Sequence, residues 1–176
     1  MSYPAACNNL PNYNNLACPD SEISRIRNFA FIRLSALAAI IAAPDTDTVW
    51  TTAIAANDCY IVKQVNGSYD GGTEKTIEGF GSMPVKYVNS DHKAAYVDDK
   101  YLSNKAFYDA LANAQDWVPA WTSETKVFIA SSPCFARAKQ KQDNSLDSII
   151  VGDVGVQWKQ KNSVLVADMP PTAFNI

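Results

Sequence analysis

The stretch Ser148-Ile-Ile-Val-Gly-Asp-Val-Gly-Val-Gln-Trp-Lys159 decides the reading of this chain. Val154, Val156 and Trp158 fall on one side of an extended backbone, and Gly155, Gln157 and Lys159 fall on the other. That period of two marks a strand with one face in a core and one in water. Short runs of the same character, rich in β-branched or aromatic residues, lie at Lys126 to Ala130, Cys134 to Lys139 and Ser163 to Ala167, and Lys161-Asn162 is the expected hairpin turn before the last. Upstream, Ile26 to Ser35 reads as a strand on Phe29 and Phe31, whereas Ala36 to Ala43 is too rich in alanine to classify. Tyr60-Ile61-Val62 forms another strand, ending at Asn66-Gly67. Gly67-Ser-Tyr-Asp-Gly-Gly72 then reads as the loop of a long hairpin leading into the alternating run Glu74 to Phe80, with one or two further strands in Met83 to Asp98.

Two helices are expected. One runs from Asp47 to Ala56 behind the capping oxygens of Asp45 and Thr46. The other is opened by Ser103 or Asn104, carries Phe107, Leu111, Ala114 and Val118 at helical spacing, and is ended by Pro119. Consecutive strands without intervening helices cannot build a parallel sheet. The fold class is therefore mostly β (α+β): an antiparallel β-sandwich or barrel of about seven strands with a flanking α-helix.

Residues 1–24 contain Pro4, Pro11, Pro19 and several asparagines with no apolar period, which predicts an extended N-terminal arm. Residues 25–168 form a single β-sandwich domain with its helix. Residues 169–176, opening Met169-Pro170-Pro171, form a C-terminal extension, because consecutive prolines remove backbone donors and force the chain out straight. Such arms lie on their own domain or on a neighbouring copy.

Hydrophobic residues make up 47% of the chain and charged residues 19%, so it folds and leaves surface for partners to cover. A net charge of −3 argues against a nucleic-acid-binding protein, and the densest basic stretch, Arg137, Lys139 and Lys141, reads as the solvated face of a strand. The N-terminal residues lack a signal-peptide pattern, which predicts a chain cytosolic at birth. No membrane span is expected, since Phe29 to Ala43 contains Arg33 and falls short of the ~20 apolar residues that cross a bilayer. The four cysteines are then expected as thiols, with a pairing of Cys7 and Cys18 in an oxidising medium left open.

Residues with catalytic chemistry are present without the required spacing. His92 is the only histidine and no nucleophile elbow accompanies it. Cys7 and Cys18 are too far apart for a metal-binding pair, and Gly67 to Gly81 lacks the endings of a phosphate loop. Asp98 and Asp99 would point to opposite faces of a strand and suit the turn before a helix, while Glu74, Glu78 and Glu124 are scattered. Trp50, Trp117, Trp121 and Trp158 could line a sugar or base platform, but core and interface packing is the commoner use. No catalytic residue, metal or cofactor is expected.

The order of features resembles that of virion structural proteins of tailed bacteriophages, in particular tail tube proteins. The resemblance rests on the arm Cys7-Asn-Asn-Leu10-Pro11 to Cys18-Pro19, the strand Ile26 to Ile32, the segment Val65-Asn-Gly-Ser-Tyr-Asp-Gly-Gly72, the Gly79-Phe-Gly81 turn and the helix containing Asn104-Lys-Ala-Phe-Tyr108. It covers most of the chain as an order of elements, and the arm and Gly-Phe-Gly pattern look like those of phages infecting Bacteroidetes. It implies a β-sandwich with a flanking helix that assembles into stacked hexameric rings through edge strands, working in the virion after assembly in the host cytoplasm. It also implies contacts with other virion proteins, and a lumen lined by acids through which DNA slides without specific binding.

The expected function is a non-enzymatic, self-assembling virion subunit. The other readings are a capsid-decorating or head-to-tail connector protein and, in a different class, a carbohydrate-binding module. The residues expected to carry assembly are Cys7, Leu10, Pro11 and Cys18 in the arm, Gly67, Tyr69, Gly71 and Gly72 in the hairpin, and Pro170 and Phe174 in the tail. Removing residues 67–73 is expected to stop stacking and leave the fold intact.

Overall fold

The computed structural model describes residues 25–79, 81–82, 84–142 and 149–174. The expected arm, with Cys7, Leu10, Pro11 and Cys18, lies outside the described residues. Among the described residues ten strands and three helices occur in the order β1 (Asn28–Arg33), α1 (Leu34–Ala42), α2 (Asp47–Ala55), β2 (Cys59–Val62), β3 (Asn66–Tyr69), β4 (Thr73–Ile77), β5 (Lys86–Asp98), α3 (Tyr101–Asn113), β6 (Trp117–Thr122), β7 (Lys126–Ile129), β8 (Cys134–Lys141), β9 (Val151–Gln160) and β10 (Leu165–Asp168). Every strand pairing is antiparallel. The first sheet has the order β10-β7-β6-β1-β2, and the second places β3 and β4 beside β5, followed by β9 and β8. The sandwich alternative therefore holds and the barrel does not, since neither sheet closes.

The two sheets face each other through aromatic side chains. Phe29 of β1 stacks on Tyr96 of β5 at 4.7 Å between ring centroids and on Trp121 of its own sheet at 6.1 Å. Trp121 meets Trp158 of β9 at 5.7 Å. In β9 the even-numbered residues from Gly152 to Gln160 are buried and Asp153, Gly155, Gln157 and Lys159 exposed, as the alternation of valines predicts. Helix α3 fills one end of the sandwich, because Phe107 contacts Phe31 and Tyr60 of the first sheet while Tyr108 shares a hydroxyl contact with Tyr96 of the second.

All six residues of β6, and all of β1 except the partly buried Arg33, are buried. Such strands belong to a sheet covered on both faces. Phe29, Phe31 and Trp121 point into the sandwich, whereas Ala30, Ile32, Val118 and Ala120 point the other way and are fully enclosed. That second face is covered by α1, α2 and the C-terminal segment. The covering is tied down at Asp47, whose Oδ1 accepts the amide N–H groups of Thr172 and Ala173 at 2.8 Å each. Partial desolvation pushes the Asp47 pKa up, but the two amide donors outweigh it and hold the carboxyl below its usual value. Phe174 then rests against Trp50 at 4.8 Å.

Several expectations are corrected. The alanine run is helix α1, consistent with the high helix propensity of alanine and with Leu37 and Ile40 buried one turn apart. Helix α3 starts at Tyr101 rather than at Ser103 or Asn104, because Asp98 Oδ1 accepts the Lys100 N–H and turns the chain earlier. It ends at Asn113; Val118 and Pro119 belong to β6, and the helical spacing of Val118 was coincidental. Pro119 is tolerated there because its carbonyl and its missing N–H both face β7 at the end of that pairing, where its oxygen accepts the Ala130 N–H. Lys161-Asn162 is not a hairpin turn, since β9 lies in one sheet and β10 pairs β7 in the other.

The largest correction concerns residues 66–77. β3 pairs residues 94–97 of β5, and β4 pairs residues 86–91 along the same edge. They form one edge strand broken at Asp70-Gly71-Gly72, and the expected hairpin does not form, because its first arm is β2, paired with β1 in the first sheet, while its second is β4, paired with β5 in the second. Asp70 Oδ1 pins the break by accepting N–H groups from Gly72 at 2.9 Å and Lys93 at 3.0 Å. Gly72 has a φ of +88°, and a Cβ there would lie 2.6 Å from His92 Cε1, so glycine is required by both backbone and neighbour. Gly72→Ala is expected to destabilise the protein by about 1 kcal/mol or more in urea unfolding; an unchanged midpoint and slope would contradict this account of the break.

Candidate functional site

The second sheet has two features that nothing in the described chain covers. The first is a ribbon. β9 pairs β5 only from Ser90 to Asp98, so the beginning of β5, residues 86–89, is supported by β4 alone. All five residues of β4 are exposed. The register shifts between Lys75 and Thr76, which leaves Val88 opposite no partner and bends the ribbon. Ile77 and Val85 are each 60% exposed and Val88 40% exposed, so apolar side chains crowd a segment with no core beneath it. Tyr87 anchors its base, its hydroxyl lying 2.7 Å from both Ser90 Oγ and the Lys161 carbonyl. A two-stranded ribbon is marginally stable alone in water, and exposed apolar residues on one mark a contact surface.

The second feature is an open groove of about 770 Å³ on the outer face of the same sheet, lined among others by Ser68, Ala95, Val97, Phe135, Arg137 and Gly155. Ser68, Ala95, Gly155 and Arg137 stand in register across four strands, so three small residues form its floor.

Of the residues expected to carry assembly, Gly67 is packed inside the sheet, where a Cβ would come within 2.9 Å of the Ala95 carbonyl and 3.0 Å of Tyr96 Cβ. Tyr69 also belongs to the sandwich, its ring 4.7 Å from Trp121 and its hydroxyl 2.7 Å from His92 Nδ1. Burial and the neighbouring Asp70 push the Tyr69 pKa up, so the hydroxyl keeps its proton. Gly72 crosses over His92, while the position a Cβ would take at Gly71 is open space. Pro170 and Phe174 are buried against their own domain. Residues 67–73 are thus no projecting tip, and removing them would strip β3 from the sheet. The exposed tip lies further on, at the β4–β5 connection, where the apolar Ile77 and Val85 flanking Gly79 and Gly81 were the available signal.

His92 is 4% exposed and stacked on Trp158 at 5.3 Å, enclosed in the sandwich rather than facing a cleft. Asp98 supports the turn into α3, its second carboxylate oxygen accepting the Tyr108 hydroxyl at 2.7 Å. Among the described residues no three His, Cys, Asp or Glu side chains gather as a metal site would need, and no helix is long and apolar enough to cross a membrane. Cys59 and Cys134 are buried thiols, each pushed up to about 12 by desolvation, and so poor nucleophiles.

The four tryptophans are 0–8% exposed, which removes the stacking platform that a sugar-binding reading relied on. Trp121→Ala is expected to lower stability by about 3–5 kcal/mol in denaturant titration; a loss below about 1 kcal/mol would mean that this ring is not a core residue. In comparisons with known proteins, no family model, curated protein or solved structure matches the chain.

Proposed function

We propose that the chain is a non-enzymatic subunit that self-assembles through its second sheet, acting as a virion structural protein of the tail tube type. The observation that carries this reading is the β4–β5 ribbon, with Ile77, Val85 and Val88 exposed on or beside the stretch of these strands that no third strand among the described residues supports. Such a segment gains most of its order when it docks on another copy, and a contact between unlike patches of identical subunits closes into a ring or continues as a filament. Further support comes from the open sandwich, which leaves β10 at one edge of the first sheet with Leu165 and Val166 exposed. Edges and ribbon together supply the two directions of contact, around a ring and between rings, that a stacked tube requires. DNA would pass through the lumen of that tube without specific contacts. A capsid-decorating or connector role would use the same surfaces on a different partner.

Electron microscopy of the purified protein over a concentration series tests the reading. Rings or tubes of uniform diameter are expected, and Ile77→Lys with Val85→Lys is expected to leave dispersed subunits with an unchanged unfolding midpoint. Wild-type protein that stays monomeric throughout, or a double variant that assembles like the wild type, would overturn it.

A further inference from the structure

The outer face of the second sheet collects charge that is scattered along the sequence. Register places Lys75 of β4, Lys93 of β5, Lys159 of β9, and Arg137, Lys139 and Lys141 of β8 on one side of the sheet. Asp91 and Asp153 share that side and Asp70 sits at its rim. Six of the fifteen basic residues therefore project from one face against three of the eighteen acids, in a chain whose net charge is −3. Lys75 pairs with Asp91 at 2.7 Å, and this hydrogen bond, aided by Lys93 and Lys159, holds the Asp91 carboxyl below its usual range. Lys93, Arg137, Lys139, Lys141 and Lys159 form no ion pair among the described residues.

The same face carries an exposed aromatic ring. Phe135 is 53% exposed, two residues from Arg137 and in register with Gln157. Beside it runs the floor of Ser68, Ala95 and Gly155, and a Cβ at Gly155 would meet no atom within 4 Å. A flat ring can therefore enter the groove beside Phe135, with Arg137 and Lys139 in its lining and Lys93 on the same face, opposite the lining residue Gln157. Cations along a groove combined with an aromatic platform suit a single-stranded nucleic acid, whose phosphates take the charge and whose bases stack. A duplex would present its backbone without a free base for Phe135, and an acidic polypeptide would leave the floor unused.

We propose that this face binds a short single-stranded nucleic acid, with phosphates on Lys93, Arg137 and Lys139 and one base on the floor against Phe135. The inference is independent of the assembly reading. A face of this charge belongs outside any channel through which DNA must slide.

Fluorescence anisotropy with a fluorescein-labelled single-stranded oligothymidylate tests it. Binding is expected at about 20 mM salt and is expected to weaken about tenfold or more by 150 mM. Arg137→Gln with Lys139→Gln should weaken it about tenfold and lower the salt slope by about 1.4. Phe135→Ser should weaken it by about fivefold or more, as loss of a stacking partner does. Gly155→Val keeps every charge, suits a strand and fills the floor; it should abolish binding with no loss of thermal stability. Sedimentation of the same samples separates this result from assembly. Absence of binding at low salt would overturn the proposal. So would equal affinity for polyglutamate or a heparin oligosaccharide, or binding indifferent to Phe135→Ser and Gly155→Val.

Discussion

The contact of Phe29 with Tyr96 across the sandwich, at 4.7 Å, is the interaction on which the other features depend. It joins β1, an interior strand of the first sheet, to the long strand of the second, and Trp121, Trp158 and Tyr69 extend it on the far side. Aromatic pairs of this kind contribute about 0.5–1.5 kcal/mol each beyond the area they bury. Their geometry also fixes which face of each strand is inside. Once Tyr96 faces inward, Ala95, Lys93 and Val97 must face outward, and the same parity is imposed on β9 and β8 through the ladder.

The two sheets are treated unequally. The first is covered on both faces, by the second sheet on one and by α1, α2 and the clamped C-terminal segment on the other. The described residues cover the second on one face only, and it continues past its neighbours as the β4–β5 ribbon. Stability is therefore concentrated in β1 and β6, and surface available for partners in β4, β5 and β8. Both functional proposals fall on the second sheet for this reason, one at its projecting end and one on its outer face.

Much of the sheet character was legible in the sequence, because a strand with one wet face must alternate, as β9 does at Val154, Val156 and Trp158. The break at Asp70-Gly71-Gly72 was not, since a pair of glycines reads equally as a turn or as a detour around a neighbour, and the neighbour here, His92, comes from a strand about twenty residues later. Pro119 suggested a helix end because the rule against proline in sheets ignores which way the missing donor faces. The basic face was hidden for a related reason: Arg137, Lys139 and Lys141 look like an ordinary solvated strand until pairing brings Lys93 and Lys159 beside them. The burial of all four tryptophans, by contrast, followed the usual role of large aromatics.

The central claim is that the ribbon, which no third strand among the described residues supports, completes its structure against another copy. Amide hydrogen exchange at low and high protein concentration addresses this directly. The account predicts that β1 and β6 exchange only through global unfolding at either concentration, while residues 73–77 and 86–89 exchange rapidly when dilute and become protected when assembled. Ribbon amides as protected as those of β1 in the dilute monomer, or no gain in protection at high concentration, would contradict it.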